Sequence, residues 1–209
     1  TTKDLNVGNP ADTSGNRIFS DGFESGNFDL WSGGITTGAG STVTVDKTLK
    51  HNGNYSAKFS PNNTQATVTT AINGGTSVDM RGYVYVTSLT SDDADLMSLY
   101  YEGSNEFDVY LDGATHKLSF YNGPATPAGR NVGSTVMSMG AWHEVELDLT
   151  INSTTGSAKL YLDGTVVLNA TNINTGSAPI IGFGIGEPDT SGTVSVVNVD
   201  DVTVDTVRP

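Results

Sequence analysis

Apolar and polar residues alternate along most of this chain with a period of two, the spacing of a strand with one face buried. Ser77 to Thr87 puts Val78, Met80, Val84 and Val86 on one face and Asp79, Arg81, Tyr83 and Tyr85 on the other. Ala141 to Ile151 is clearer still. Val145, Leu147, Leu149 and Ile151 share one parity; Trp142, Glu144, Glu146 and Asp148 share the opposite one. Shorter runs with strand character cover Thr42–Val45, Tyr55–Ser60, Gln65–Ile72, Leu96–Tyr101, Phe107–Leu111 and His116–Tyr121. Ala158–Leu162, Val166–Leu168, Ile180–Ile185 and Thr193–Val204 complete the series. Asp112-Gly113 and Asp163-Gly164 are tight-turn signals, each closing a Tyr-Leu-Asp-Gly sequence, so the same hairpin chemistry is used twice. No stretch has helical periodicity. About thirteen short strands with regular turns predict an all-β, two-sheet antiparallel sandwich.

The chain has 209 residues, enough for one large β domain over residues 18–209, preceded by a polar, aperiodic arm or linker over residues 1–17. It has no cysteine, so disulfides and thiol nucleophiles are out. A formal charge of −13 argues against nucleic acid and against an anionic membrane surface. No apolar run reaches the roughly eighteen residues that a membrane span needs. The first residue is Thr1 and no signal peptide is visible, which reads as a mature product or a trimmed piece. An acidic, cysteine-free β protein of this composition fits an extracellular or cell-surface setting.

The two ends carry the most concentrated chemistry. Phe19 to Trp31 holds Asp21, Glu24 and four aromatic residues; Asn198 to Asp205 holds Asp200 and Asp201. If the first and last strands lie side by side, these carboxylates converge. Oxygen ligands gathered from both ends make a hard-cation site, with Ca²⁺ as the natural occupant.

Trp142-His143-Glu144-Val145-Glu146-Leu147, then Gly156, then Lys159 to Gly164, resembles the laminin-G-like, concanavalin-type jelly rolls. Phe23-Glu24-x-Gly26, Trp31 and Asn52 to Ala57, together with Asp200-Asp201-Val202, resemble the opening and closing segments of calcium-binding carbohydrate-binding modules. The resemblance implies a jelly-roll sandwich. It also implies Ca²⁺ held by Glu24 and Asp201, with backbone carbonyls near Gly53 and Ser56 and a contribution from Asp21.

Sugars are held by flat aromatic faces flanked by hydrogen-bonding groups. Arg81, Tyr83, Tyr85, Tyr110 and Tyr161 lie on the parity opposite the apolar residues, and Tyr121 and Trp142 join them as candidates. If their strands share one sheet, they form a row across its open face. Glu144, Glu146 and Asp148 share a strand face and read as an acidic solvent face. The Glu-x-Asp-x-x-Glu signature of jelly-roll hydrolases is absent, and no lyase motif surrounds His51, His116 or His143. The expected function is therefore a non-catalytic, calcium-stabilised carbohydrate-binding or adhesion module whose partner is a polysaccharide or cell-surface glycan. The alternative is a structural subunit of an extracellular filament or surface layer, in which residues 1–17 add a strand to the next copy.

Overall fold

The computed structural model describes residues 16–90, 92–102, 106–125, 129–189 and 193–208. Among these residues there are fifteen strands and no helix. In chain order they are β1 (Arg17–Asp21), β2 (Gly34–Thr37), β3 (Thr42–Asp46), β4 (Ser56–Ser60), β5 (Ala66–Gly75), β6 (Ser77–Leu89), β7 (Ala94–Tyr101) and β8 (Glu106–Leu111). There follow β9 (Lys117–Asn122), β10 (Gly129–Val136), β11 (Trp142–Thr150), β12 (Gly156–Leu162), β13 (Thr165–Ile173), β14 (Ile180–Glu187) and β15 (Ser195–Asp205).

They form two antiparallel sheets. One runs β13-β12-β11-β6-β15-β4-β3, with β1 also paired to β15; the other runs β10-β9-β8-β7-β14-β5-β2. This is the two-sheet antiparallel sandwich that the alternating pattern predicts, in the jelly-roll form that the resemblance implies. The inward parity supplies the core: Val78, Met80, Val84 and Val86 of β6 meet Leu99, Phe107, Phe120 and Phe183 of the facing sheet in one continuous apolar cluster. An aromatic group closes one part of it, with Trp31 4.9 Å from Phe19 and 5.6 Å from Phe183 between ring centroids.

Two strands have no counterpart in the hydrophobic pattern. β2 and β10 are the outer strands of the seven-stranded sheet and expose most of their residues. Without a buried face, an edge strand has no reason to alternate. The expected arm over residues 1–17 lies outside the described residues except for Asn16 and Arg17. Arg17 already belongs to the sandwich, since it starts β1 opposite Asp205 and pairs with that carboxylate at 2.8 Å. Among the described residues no helix is long and apolar enough to cross a membrane.

Candidate functional site

The two ends do lie together. β1 pairs antiparallel with β15, with Asp21 opposite Val202. The same side of β15 pairs with β4 over Val197–Val199. Asp200 and Asp201 fall in the gap between these two neighbours, at a β-bulge where Asp201 takes a left-handed φ of 49°. The gap is filled by the loop before β4. Asp200 Oδ2 accepts the N–H groups of His51 (2.9 Å) and Asn52 (3.2 Å), and Asp201 Oδ2 contacts His51 Nδ1 at 2.8 Å. Burial and the neighbouring Asp201 charge push the Asp200 carboxyl up to about 7.

Glu24 reaches the same loop from the other end of the chain. Its Oε1 accepts the N–H groups of Asn54 (2.7 Å) and Tyr55 (3.0 Å), and Oε2 accepts Asn54 Nδ2 at 2.9 Å. Gly53 lies directly against this carboxylate. A Cβ there would come within 2.3 Å of Glu24 Oε1, at a φ of +61°. Ser56 is buried and donates to the Leu49 carbonyl at 2.6 Å, while accepting Asn198 Nδ2 at 3.0 Å. Asp21 is buried with both oxygens in use, Oδ1 by the N–H of Phe23 and Oδ2 by Trp31 Nε1, each at 2.8 Å. It therefore braces the Phe23 turn, which has a φ of 59°.

The tyrosine row does not form on one sheet. Arg81, Tyr83, Tyr85, Trp142 and Tyr161 stand on the eight-stranded sheet, whereas Tyr110 and Tyr121 belong to β8 and β9 of the other. The chain crosses between the sheets after β6 and again before β11, and parity within a strand carries no information about which sheet it joins. On the eight-stranded sheet the rings are turned upon one another. Tyr83 is stacked beneath His51 at 3.6 Å and donates to Glu144 at 2.9 Å. Trp142 meets Tyr85 and His51 edge-on, and Tyr161 lies under the Arg208 guanidinium at 4.1 Å.

Nor is the acidic face of β11 uniformly in solvent. Glu146 is only 2% exposed because Arg208 covers it with a 2.6 Å ion pair. At the far end of the strand, His143 bridges Ser138 (2.7 Å) and Asp163 (2.8 Å). The arrangement has the order of a nucleophile, base and acid. Asp163 also accepts the N–H of Glu144, however, and the N–H of Gly140 is given to the Val86 carbonyl. The group thus fastens the Asp163-Gly164 turn and the preceding loop to β11.

The outer face of the seven-stranded sheet is different. Seven carboxylates and one guanidinium line a recess of about 500 Å³: Asp92, Asp93, Asp95, Glu106, Asp108, Glu187 and Asp189 with Arg130, beside Tyr110, Tyr121 and Thr193. Arg130 is already engaged, by Asp93 at 2.6 Å, Asp112 at 2.9 Å and the Tyr110 hydroxyl at 3.1 Å. Burial and mutual repulsion keep protons on the inner acids. The Asp108 carboxyl rises to about 8, Glu187 to about 7, and Asp95 is held well above its usual range. Like charges at such spacing repel by roughly 1–4 kcal/mol per pair when ionised.

A second recess, of about 450 Å³, lies on the same sheet between Ser32-Gly33, Thr69–Ala71, Ile181-Gly182 and Tyr100. Tyr100 stands between the two recesses, since its cross-strand neighbour Glu106 belongs to the acidic one. Its ring crosses β14 over two glycines. A Cβ on Gly182 would lie 3.2 Å from the Tyr100 ring, and one on Gly184 would lie 3.0 Å from it. Sequence reasoning missed this surface because its acids sit on three separate segments. The signal present was Gly-x-Gly-x-Gly in β14, which marks a strand that another group crosses closely.

The chain matches no protein-family model and no curated protein. Solved structures do match it. One is the cellulose-induced protein Cip1, with a TM-score of 0.73, 19% identity, and 91% of this chain and 98% of that one covered. An endo-β-1,4-glucuronan lyase from Trichoderma reesei gives 0.67 at 17% identity, over 91% and 96% of the chains. The carbohydrate-binding module CBM66 from Bacillus subtilis gives 0.50 at 13% identity, over 79% and 95%. At these identities what is shared is the jelly-roll sandwich itself, in a group of carbohydrate-active proteins that includes both binding modules and enzymes.

Proposed function

We propose that this protein is a non-catalytic, extracellular carbohydrate-binding module that holds a polysaccharide along the outer face of the seven-stranded sheet. The observation that carries this reading is Tyr100, laid across Gly182 and Gly184 between two recesses, with Tyr121 beyond it and carboxylates beside it. Flat rings offer a stacking surface to pyranose C–H groups, and Glu106 and Asp189 offer acceptors to sugar hydroxyls. The carbohydrate-active character of the structural neighbours supports a sugar as the ligand.

The test is binding to a panel of soluble polysaccharides by calorimetry or affinity electrophoresis. Tyr100→Ala and Tyr121→Ala should each weaken binding about tenfold, the loss of about 1.4 kcal/mol. Binding that survives both substitutions unchanged would remove the groove from consideration.

A second reading, hydrolysis, is favoured by one observation: carboxyl groups raised to about 8 and about 7 in one recess are the kind of groups that glycosidases use as acids. Glu187, however, is held as an acceptor by the N–H groups of Asp95 and Asp189, which does not suit an acid that must donate a proton. Release of reducing ends from a bound polysaccharide, lost in Asp108→Asn, would replace the module reading with this one.

The module reading includes Ca²⁺ between the chain ends. The donor set fits it, because Glu24 and Asp201 meet one loop and Gly53 leaves the Glu24 carboxylate room that any side chain would fill. Glu24, Asp201 and backbone carbonyls of the loop near Gly53 and Ser56 would hold the ion, with Asp21 orienting the turn that carries Glu24. The ion would supply a cross-link between the two ends.

A further inference from the structure

We infer that Asp95, Glu187 and Asp189 form a second divalent-cation site, within the acidic recess of the seven-stranded sheet and separate from the chain ends. One ligand oxygen from each lies within 4.8 Å of the other two. Oxygens bound to one Ca²⁺ at about 2.3–2.6 Å can be at most about 5 Å apart, so the three fit around a single ion. They come from three places, β7, the end of β14 and the segment after it, and are already tied into one unit. Glu187 Oε1 accepts the N–H of Asp189 at 3.1 Å, and Oε2 accepts that of Asp95 at 3.4 Å. Each carboxylate keeps lone pairs for a metal.

Proximity alone would be weak support, since acidic clusters are common. Asp108 supplies an independent observation. It lines the same recess, is 5% exposed, and its Oδ1 is buried with no hydrogen-bond partner. Ser98 lies opposite it across the strands, and its hydroxyl is likewise buried without a partner. Buried oxygens of this kind are normally satisfied. The guanidinium of the recess serves Asp93 and Asp112 instead. A cation at the three-carboxylate cluster gives Asp108 a positive charge to face.

Three carboxylates and no nitrogen or sulfur donor select a hard ion, and ligands spread over separate segments suit the adaptable shell of Ca²⁺ better than the strict octahedron of Mg²⁺. This assignment uses no sugar, so it stands or falls apart from the binding groove. The experiment is calorimetric titration of Ca²⁺ into chelator-stripped protein. Asp95→Asn with Glu187→Gln should lose one binding equivalent that Glu24→Gln retains. Both amides relieve repulsion, and Gln keeps one oxygen for the two N–H groups that Glu187 accepts, so the double variant should still melt cooperatively in EDTA. Asp189→Asn alone, on an exposed residue, should weaken the same equivalent at least tenfold. An unchanged number of equivalents in the double variant, or a wild-type protein that binds no Ca²⁺, would overturn the site.

Discussion

Asp79 shows how a single residue can set the acid–base behaviour of this fold. It lies mid-sheet on β6, opposite Asp205 of β15 on one side and Asp148 of β11 on the other. Neither of its carboxyl oxygens is exposed or hydrogen-bonded. Burial, then the charges of Glu146 and Asp148, push its carboxyl up to about 8, against 3.8 in an unfolded chain. Between those values the native protein holds a proton that the unfolded chain releases. The stabilising effect of that proton is complete below about pH 4 and is lost as the pH rises through about 8. Asp79→Asn should therefore raise stability by about 2–4 kcal/mol at pH 8.5 and leave it unchanged near pH 4. Urea melts at the two pH values measure this; a variant less stable at pH 8.5 would mean that the ionised carboxylate has a partner. Gly53 makes a second prediction at this scale. Gly53→Ala meets both a left-handed φ and the Glu24 carboxylate, whereas Gly164→Ala meets the φ of +74° alone, with open space around it. The first should cost about 1–2 kcal/mol more than the second.

At the scale of elements, β15 joins the two halves of its sheet and receives both β4 and β1 along one side. The bulge at Asp200-Asp201 marks the changeover, and the loop ending in Tyr55 docks there. Asp200→Ala would strand three N–H groups, those of His51, Asn52 and Asp201, and should cost about 2–4 kcal/mol. If Ca²⁺ bridges Glu24 and Asp201, EDTA should lower the melting temperature, and Glu24→Gln should remove the part of that drop due to the end-to-end ion. A melt indifferent to EDTA in wild-type protein would count against the bridge. Much of this was legible in the sequence. The carboxylates at both ends, the Asn-Gly-Asn loop and the alternation of β6 and β11 pointed to these elements because each has one buried face or one dominant charge. β2 and β10 were illegible because most of their residues are exposed and neither buries a continuous apolar face. The bulge was illegible because Asp-Asp in a strand reads the same whether or not the register slips.

For the molecule as a whole, the question is which outer face does the work. Period-two alternation separates inside from outside along each strand but does not assign a strand to a sheet. That is why Tyr83 and Tyr85 were grouped with Tyr110 and Tyr121, which stand across the sandwich from them. The two faces differ in what their rings have left to offer. On the eight-stranded sheet, Tyr83 is covered by His51, Trp142 is packed edge-on against Tyr85, and Arg208 caps Tyr161. A sugar would have to displace those contacts before stacking. On the seven-stranded sheet, Tyr100 and Tyr121 border recesses of about 450 and 500 Å³. The same contrast governs mutation. Tyr85→Ala and Trp142→Ala should lower stability, by about 1–3 kcal/mol each, while leaving polysaccharide affinity within about twofold. Tyr100→Ala and Tyr121→Ala should do the reverse. Measuring both quantities for all four variants separates the faces, and a loss of affinity confined to Tyr85→Ala and Trp142→Ala would move the binding surface to the eight-stranded sheet.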